Sequence, residues 1–195
     1  MKLKKILAVM MAGAMMLSMA ACGGEETTTA ESTGEQKTID GNVLDAEQYF
    51  NGYLSSEPTT LDSVTGNDSY SSSILTNAME PLTRLAEKDG ENVREGAAAE
   101  SWESNEDGTV WTFHLRDNKW SDGQPVTAND YVYAITRVLT PETGSPNSWL
   151  LTCVKNANAV LAGEMDPSEL GVKAIDDKTI EFTMESPTPS FLAMT

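Results

Sequence analysis

Three carboxylates, Glu57, Asp62 and Asp68, fall within a short polar stretch that also holds Asn67, Ser69 and Tyr70. Grouped acids can serve general acid–base chemistry when their surroundings drive their pKa values apart. Hydrolysis through a nucleophile would further need a base and an orienting group in contact with it. The chain has one histidine, His114, and two cysteines, Cys22 and Cys153. A single histidine supports neither a His-rich metal site nor a Ser-His-Asp triad. Three clustered acids are also what composition delivers, with 30 Asp and Glu against 13 Lys and Arg and a net charge of −17. The expectation is a protein that is not an enzyme and carries neither cofactor nor metal. Gly66-Asn67-Asp68-Ser69 by itself reads as a surface turn.

The elements around this stretch are legible. Trp111, Phe113 and Leu115 alternate with Thr112, His114 and Arg116, the period of a half-buried strand that places His114 opposite the apolar face. Asp117 to Pro125 carries turn residues around Trp120. Thr127 then stands as a helix N-cap with Asp130 three residues on, and Tyr131, Ile135, Val138 and Leu139 share one helical face. Upstream, Tyr49 to Leu54 is a strand candidate weakened by Gly52. A helix is expected over Ser71 to Leu82, ended or kinked by Pro81. Glu87 to Gly90 is a turn, and Asn105 to Gly108 a hairpin turn. A further helix covers roughly Asn156 to Ala162, and Gly171 to Met184 is a hairpin turning at Asp176-Asp177. Ser190 reads as an N-cap for a helix beginning at Phe191.

The segment WTFHLRDNKWSDGQPVTANDYVYAITR, Trp111 to Arg137, closely resembles the mark of the solute-binding proteins of oligopeptide ABC importers, extracellular solute-binding protein family 5. That family also includes dipeptide, nickel and some sugar binders. Other phrases agree: SEPTTLD at 56–62 with Ser63 where Pro is usual, EPLTRL at 80–85 with Pro81 in place of Gly, AAAESWE at 97–103, and GVKAIDDKTIEFTM at 171–184. The resemblance runs over Tyr49 to Thr195 and matches only the front part of such a protein. It implies an α/β, two-lobed clamshell of the type II periplasmic-binding-protein kind. Present here would be residues 39–79 as the start of lobe I and 80–195 as most of its small α+β domain, in a truncated fragment. It also implies that Asn67, Asp68, Ser69 and Tyr70 contact ligand. After the family's SP phrase an aromatic residue meets ligand; this chain has Asn147 there and Trp149 two residues on, so both are candidates.

Lys2, Lys4 and Lys5 precede an apolar run from Ile6 to Leu17, too short for a comfortable span of ~20 residues. Met19-Ala20-Ala21-Cys22 resembles a bacterial lipobox, implying a signal peptide over 1–21 and lipid on the Cys22 thiol. Two acyl chains there suffice for stable anchoring. Residues 22–38 are polar and acidic without a large apolar side chain, the composition of a tether. Cleavage before Cys22 removes three lysines and no acid, which makes the charge more negative still and excludes nucleic acid as a partner. With Cys22 lipidated, Cys153 has no disulfide partner and reads as a small buried apolar residue.

The expected protein is an extracytoplasmic, lipid-anchored monomer at the outer face of a bacterial cytoplasmic membrane. It would capture oligopeptides and hand them to the transmembrane permease subunits of an ABC importer. A nickel, haem or sugar ligand on the same scaffold and a non-functional fragment are the alternatives.

Overall fold

The computed structural model describes residues 38–39, 42–45, 47 and 49–195. The expected signal peptide, Cys22 and nearly all of the tether lie outside them. Two compact units divide at Gly52. In the first, β1 (Thr38–Ile39) pairs antiparallel with β2 (Asn42–Val43).

In the second unit, residues 53–195, α1 (Ser69–Ala78) is followed by a hairpin of β3 (Thr83–Lys88) and β4 (Glu91–Gly96). The hairpin turns on Asp89-Gly90, both at positive φ, the backbone that a two-residue turn between twisted strands requires. Then come β5 (Ala99–Ser104), β6 (Val110–Leu115), α2 (Ala128–Leu139), α3 (Ala157–Leu161), β7 (Val172–Asp176) and β8 (Thr179–Thr183). These last four strands form one antiparallel sheet in the order β5-β6-β8-β7.

The sheet is built on alternation. Trp111, Phe113 and Leu115 of β6 are buried while Thr112 and His114 are partly open; Ile180 and Phe182 of β8 are buried in the same way. Register sets Trp111 opposite Phe182 and Phe113 opposite Ile180, so the apolar residues share one face. Cross-strand pairs of this kind are the unit of sheet stabilisation. Phe191, from a 3₁₀ turn over Pro189–Met194, adds a third ring, its centroid 4.9 Å from that of Phe182 and 6.3 Å from that of Phe113. Leu139 and Ala128 bring α2 into the same core, with Tyr131, Val132, Ile135 and Val138 packed at its margin. Cys153 joins that margin as a packing residue, and burial pushes its thiol up from its ordinary value.

Three sequence expectations are corrected. No strand forms over Tyr49 to Leu54: Tyr49, Phe50 and Tyr53 are 77, 92 and 89% exposed, and no ladder partner lies beside them among the described residues. Strand composition does not create a strand without a neighbour to bond. The first helix is Ser69–Ala78, not 71–82, because Asp68 caps it earlier and the chain is already extended at Met79, before Pro81. The last turn is 3₁₀, started at Thr188 with no side-chain cap, where Ser190 had been expected to cap an α-helix.

Candidate functional site

The segment that precedes α1 is held at both ends by aspartates. Asp68 is the N-cap of α1, its Oδ1 accepting from the N–H groups of Tyr70 (3.0 Å) and Ser71 (2.9 Å). Its Oδ2 accepts from the hydroxyls of Thr59 and Ser71, each at 2.5 Å. Hydrogen bonds from Ser71 and then Thr59 hold this carboxyl well below the usual carboxylate range. Such a group stabilises the fold at pH values above its unfolded pKa of about 3.9, and the contribution is lost as pH falls towards the lower folded value. Asp68→Asn keeps a capping oxygen but no charge. Its urea midpoint is therefore expected to fall less steeply than that of wild type as pH drops below about 4. Parallel acid titrations of the two proteins check this.

Six residues upstream, Asp62 makes a two-pronged pair with Arg137 near the end of α2: Nη1 to Oδ1 at 3.1 Å and Nη2 to Oδ2 at 2.7 Å. Asp62 Oδ1 also accepts from the Val64 N–H (3.0 Å), and its carbonyl accepts from Thr65 (3.2 Å) and Gly66 (2.9 Å). Two further ties come from the segment after α2. The buried Ser145 hydroxyl donates to the Val64 carbonyl (2.6 Å), and Asn147 Nδ2 donates to that of Gly66 (3.2 Å). The helix that carries Arg137 is itself fixed at its start. There Asp130 Oδ2 accepts from the Thr127 N–H (2.8 Å) and hydroxyl (3.1 Å), while the Asp130 N–H turns to the Thr127 carbonyl.

Between these ties the main chain is open. The N–H and C=O of Asn67 and the N–H of Ser69 have no hydrogen-bond partner among the described residues, and both residues are exposed. Beside them lies a cleft of about 440 Å³ bordered by Ser63, Gly66, Leu75, Met79 and Asn147. Glu80 and Met79 separate it from a second hollow of about 240 Å³, which reaches Asn118, Trp120 and Tyr131. Glu80 is committed there, Oε2 accepting from Arg116 Nη2 (2.6 Å) and Asn118 Nδ2 (2.9 Å). Burial pushes the Tyr131 phenol up to about 12, so it stays protonated across the physiological range.

The six predicted contact residues thus separate. Asn67 presents a free N–H and C=O and Ser69 a free N–H, Asn147 borders the cleft, and the Asp68 carboxylate is taken up by its own helix and Thr59. The Tyr70 phenol accepts from Ser55 Oγ (3.2 Å). Trp149 lies in a 3₁₀ turn over Ser148–Leu151, 67% exposed, and does not border the cleft. Asp62, Arg137 and Ser145 shape the loop; Asp62 was noted only as one of three grouped acids, and Arg137 and Ser145 had no local signature to mark them for this role. Among the described residues, no three His, Cys, Asp or Glu side chains come together in a way that would hold a metal ion.

Residues 94–195 match the sequence pattern described as Bacterial extracellular solute-binding proteins, family 5 Middle. The chain belongs to that family. Within this family it is 38% identical over 158 residues to the periplasmic murein peptide-binding protein MppA of Escherichia coli K12, covering 80% of this chain and 29% of that one. It is 40% identical over 154 residues to the probable deoxycholate-binding periplasmic protein YgiS of the same strain, covering 77% and 28%. A crystal structure of the substrate-binding domain of an oligopeptide ABC transporter from Bacillus anthracis superposes with a TM-score of 0.71 at 45% identity, over 76% of this chain and 28% of that one. The mixed α/β architecture is therefore that of family 5, and the chain spans under a third of the length of the relatives it matches.

Proposed function

We propose that the chain supplies one wall of a peptide-binding cleft in an extracytoplasmic solute-binding protein, which captures short peptides for an ABC importer. The observation that carries this reading is the fixed loop with unpaired main-chain groups at Asn67 and Ser69, facing solvent beside the cleft. An extended peptide is held largely through its main chain, and a rigid row of free N–H and C=O groups receives it without selecting side chains. Fixing the loop beforehand lowers the ordering cost of binding. Relatives named for murein peptide and oligopeptide binding support the ligand class. Capture without chemistry, closure of two lobes on the ligand, delivery to permease subunits, the Cys22 lipid anchor and a monomeric state complete the proposal.

The test is thermal unfolding of the full-length protein with a mixed library of short peptides, with deoxycholate and with nickel. A ligand at 100 times its Kd stabilises the folded state by about 2.7 kcal/mol, which shows as a raised midpoint. A rise with peptides alone is the expected result. A rise with deoxycholate or nickel alone would replace the ligand class, and no rise with any of them would remove the capture role. The deoxycholate arm is included because YgiS is named for that ligand.

A further inference from the structure

We propose that Arg137 is a positioning residue for ligand capture, fixing through Asp62 the course of residues 63–67 and hence where the exposed Asn67 main chain stands, one residue beyond Gly66 at the border of the cleft. The proposal rests on the reading of that loop as ligand-holding.

Four observations converge on it. The guanidinium grips both carboxylate oxygens of Asp62, which fixes the plane of the carboxyl group as well as its position. The oriented Asp62 then sets the next residues directly: its side chain takes the Val64 N–H, and its carbonyl takes those of Thr65 and Gly66. Arg137 stands on a firm post, because Leu139 and Val138 of the same helix turn are packed into or against the core. Finally, the Arg137 and Asp62 side chains remain 36% and 34% exposed. Pairs so open to water contribute little to global stability. The consequence of this pair is local, and what is local to it is the loop. The ties from Ser145 and Asn147 are single and neutral, so they anchor Val64 and Gly66 without orienting the segment that leads to them.

The experiment uses the full-length protein and a mixed library of short peptides as the probe. R137K keeps the charge but not the fork; R137A removes both. Each is expected to weaken peptide binding about 10-fold, the range of coupling seen within one hydrogen-bonded network. The Tm without ligand is expected to move no more than in R84K, which perturbs the exposed Arg84–Glu95 pair of the β3–β4 hairpin. Amides of residues 64–66, the ones bonded to Asp62, should exchange faster in both Arg137 variants, and Asp62→Asn, which retains an acceptor for Val64, should fall between wild type and R137A. Wild-type affinity in R137K and R137A, or an affinity loss matched by a Tm loss beyond that of R84K, would overturn the proposal. If wild type itself binds no peptide, the capture reading fails instead. Exchange at 64–66 then decides the positioning role alone, with unchanged rates overturning it.

Discussion

Phe182→Ala is expected to destabilise the unit spanning residues 53–195 by about 3–5 kcal/mol, the range for removing a large ring from a closed core. The ring is 1% exposed and meets Phe113 edge-on at 5.7 Å and Phe191 at 4.9 Å. Three elements that are far apart in the chain, β6, β8 and the Pro189–Met194 turn, converge on it. β6 and β8 cannot move inward to fill the gap without breaking the ladder that fixes β8 between β6 and β7, and the turn is tied at Leu192 and Thr195 to Thr83. Loss of the edge-to-face contact adds to the transfer and cavity costs. Urea unfolding of the full-length protein reads the effect as a shift in midpoint at unchanged slope. A loss below about 1 kcal/mol would mean that the cluster is loosely packed.

Gly171→Ala is expected to cost about 1–3 kcal/mol through overpacking. A Cβ at this position would stand 2.5 Å from the Thr183 carbonyl oxygen and 2.8 Å from Lys155 Cβ. Neither neighbour is free to retreat. The Gly171 N–H donates to Lys155 (3.0 Å), its carbonyl accepts from Thr183 (2.7 Å), and Lys155 donates to the Thr183 carbonyl (2.9 Å). The glycine is thus required by close approach and not by its φ, and a side chain would pry apart the hydrogen bonds that close the end of β8. The same urea experiment tests it, and a midpoint equal to that of wild type would show that the crossing has slack.

What could be read from the chain, and what could not, divides along local and distant causes. β6, the start of α2 and the β7–β8 hairpin were legible because alternation, a capping pair and an Asp-rich turn are neighbours in sequence. The β3–β4 hairpin was seen only as its turn, because Thr83–Lys88 and Glu91–Gly96 carry charged side chains on both faces and show no apolar alternation. Tyr49 to Leu54 misled in the other direction, having the composition of a strand without a partner. Asn67 to Tyr70, Asn147 and Trp149 were marked by family resemblance, since turn composition alone does not single them out. The bonds that hold the Asn67 loop join Asp62 to Arg137 across 75 residues and Val64 to Ser145 across 81. No window of sequence contains both ends of such a pair.

The strand order has a consequence for how the chain is made. β8 lies between β6 and β7, so one edge of β6 waits for a partner that arrives only when Thr179 has been synthesised. Roughly 60 residues separate them, which at ribosomal speed is an interval of ~3–12 s. Throughout it Trp111 and Phe113 have neither β8 beside them nor Phe191 over them. A nascent chain in that condition is adhesive, because β5 alone borders β6 and its apolar side chains are uncovered. The late partner thus leaves the apolar face of β6 open until β8 pairs with it and Phe191 packs over it.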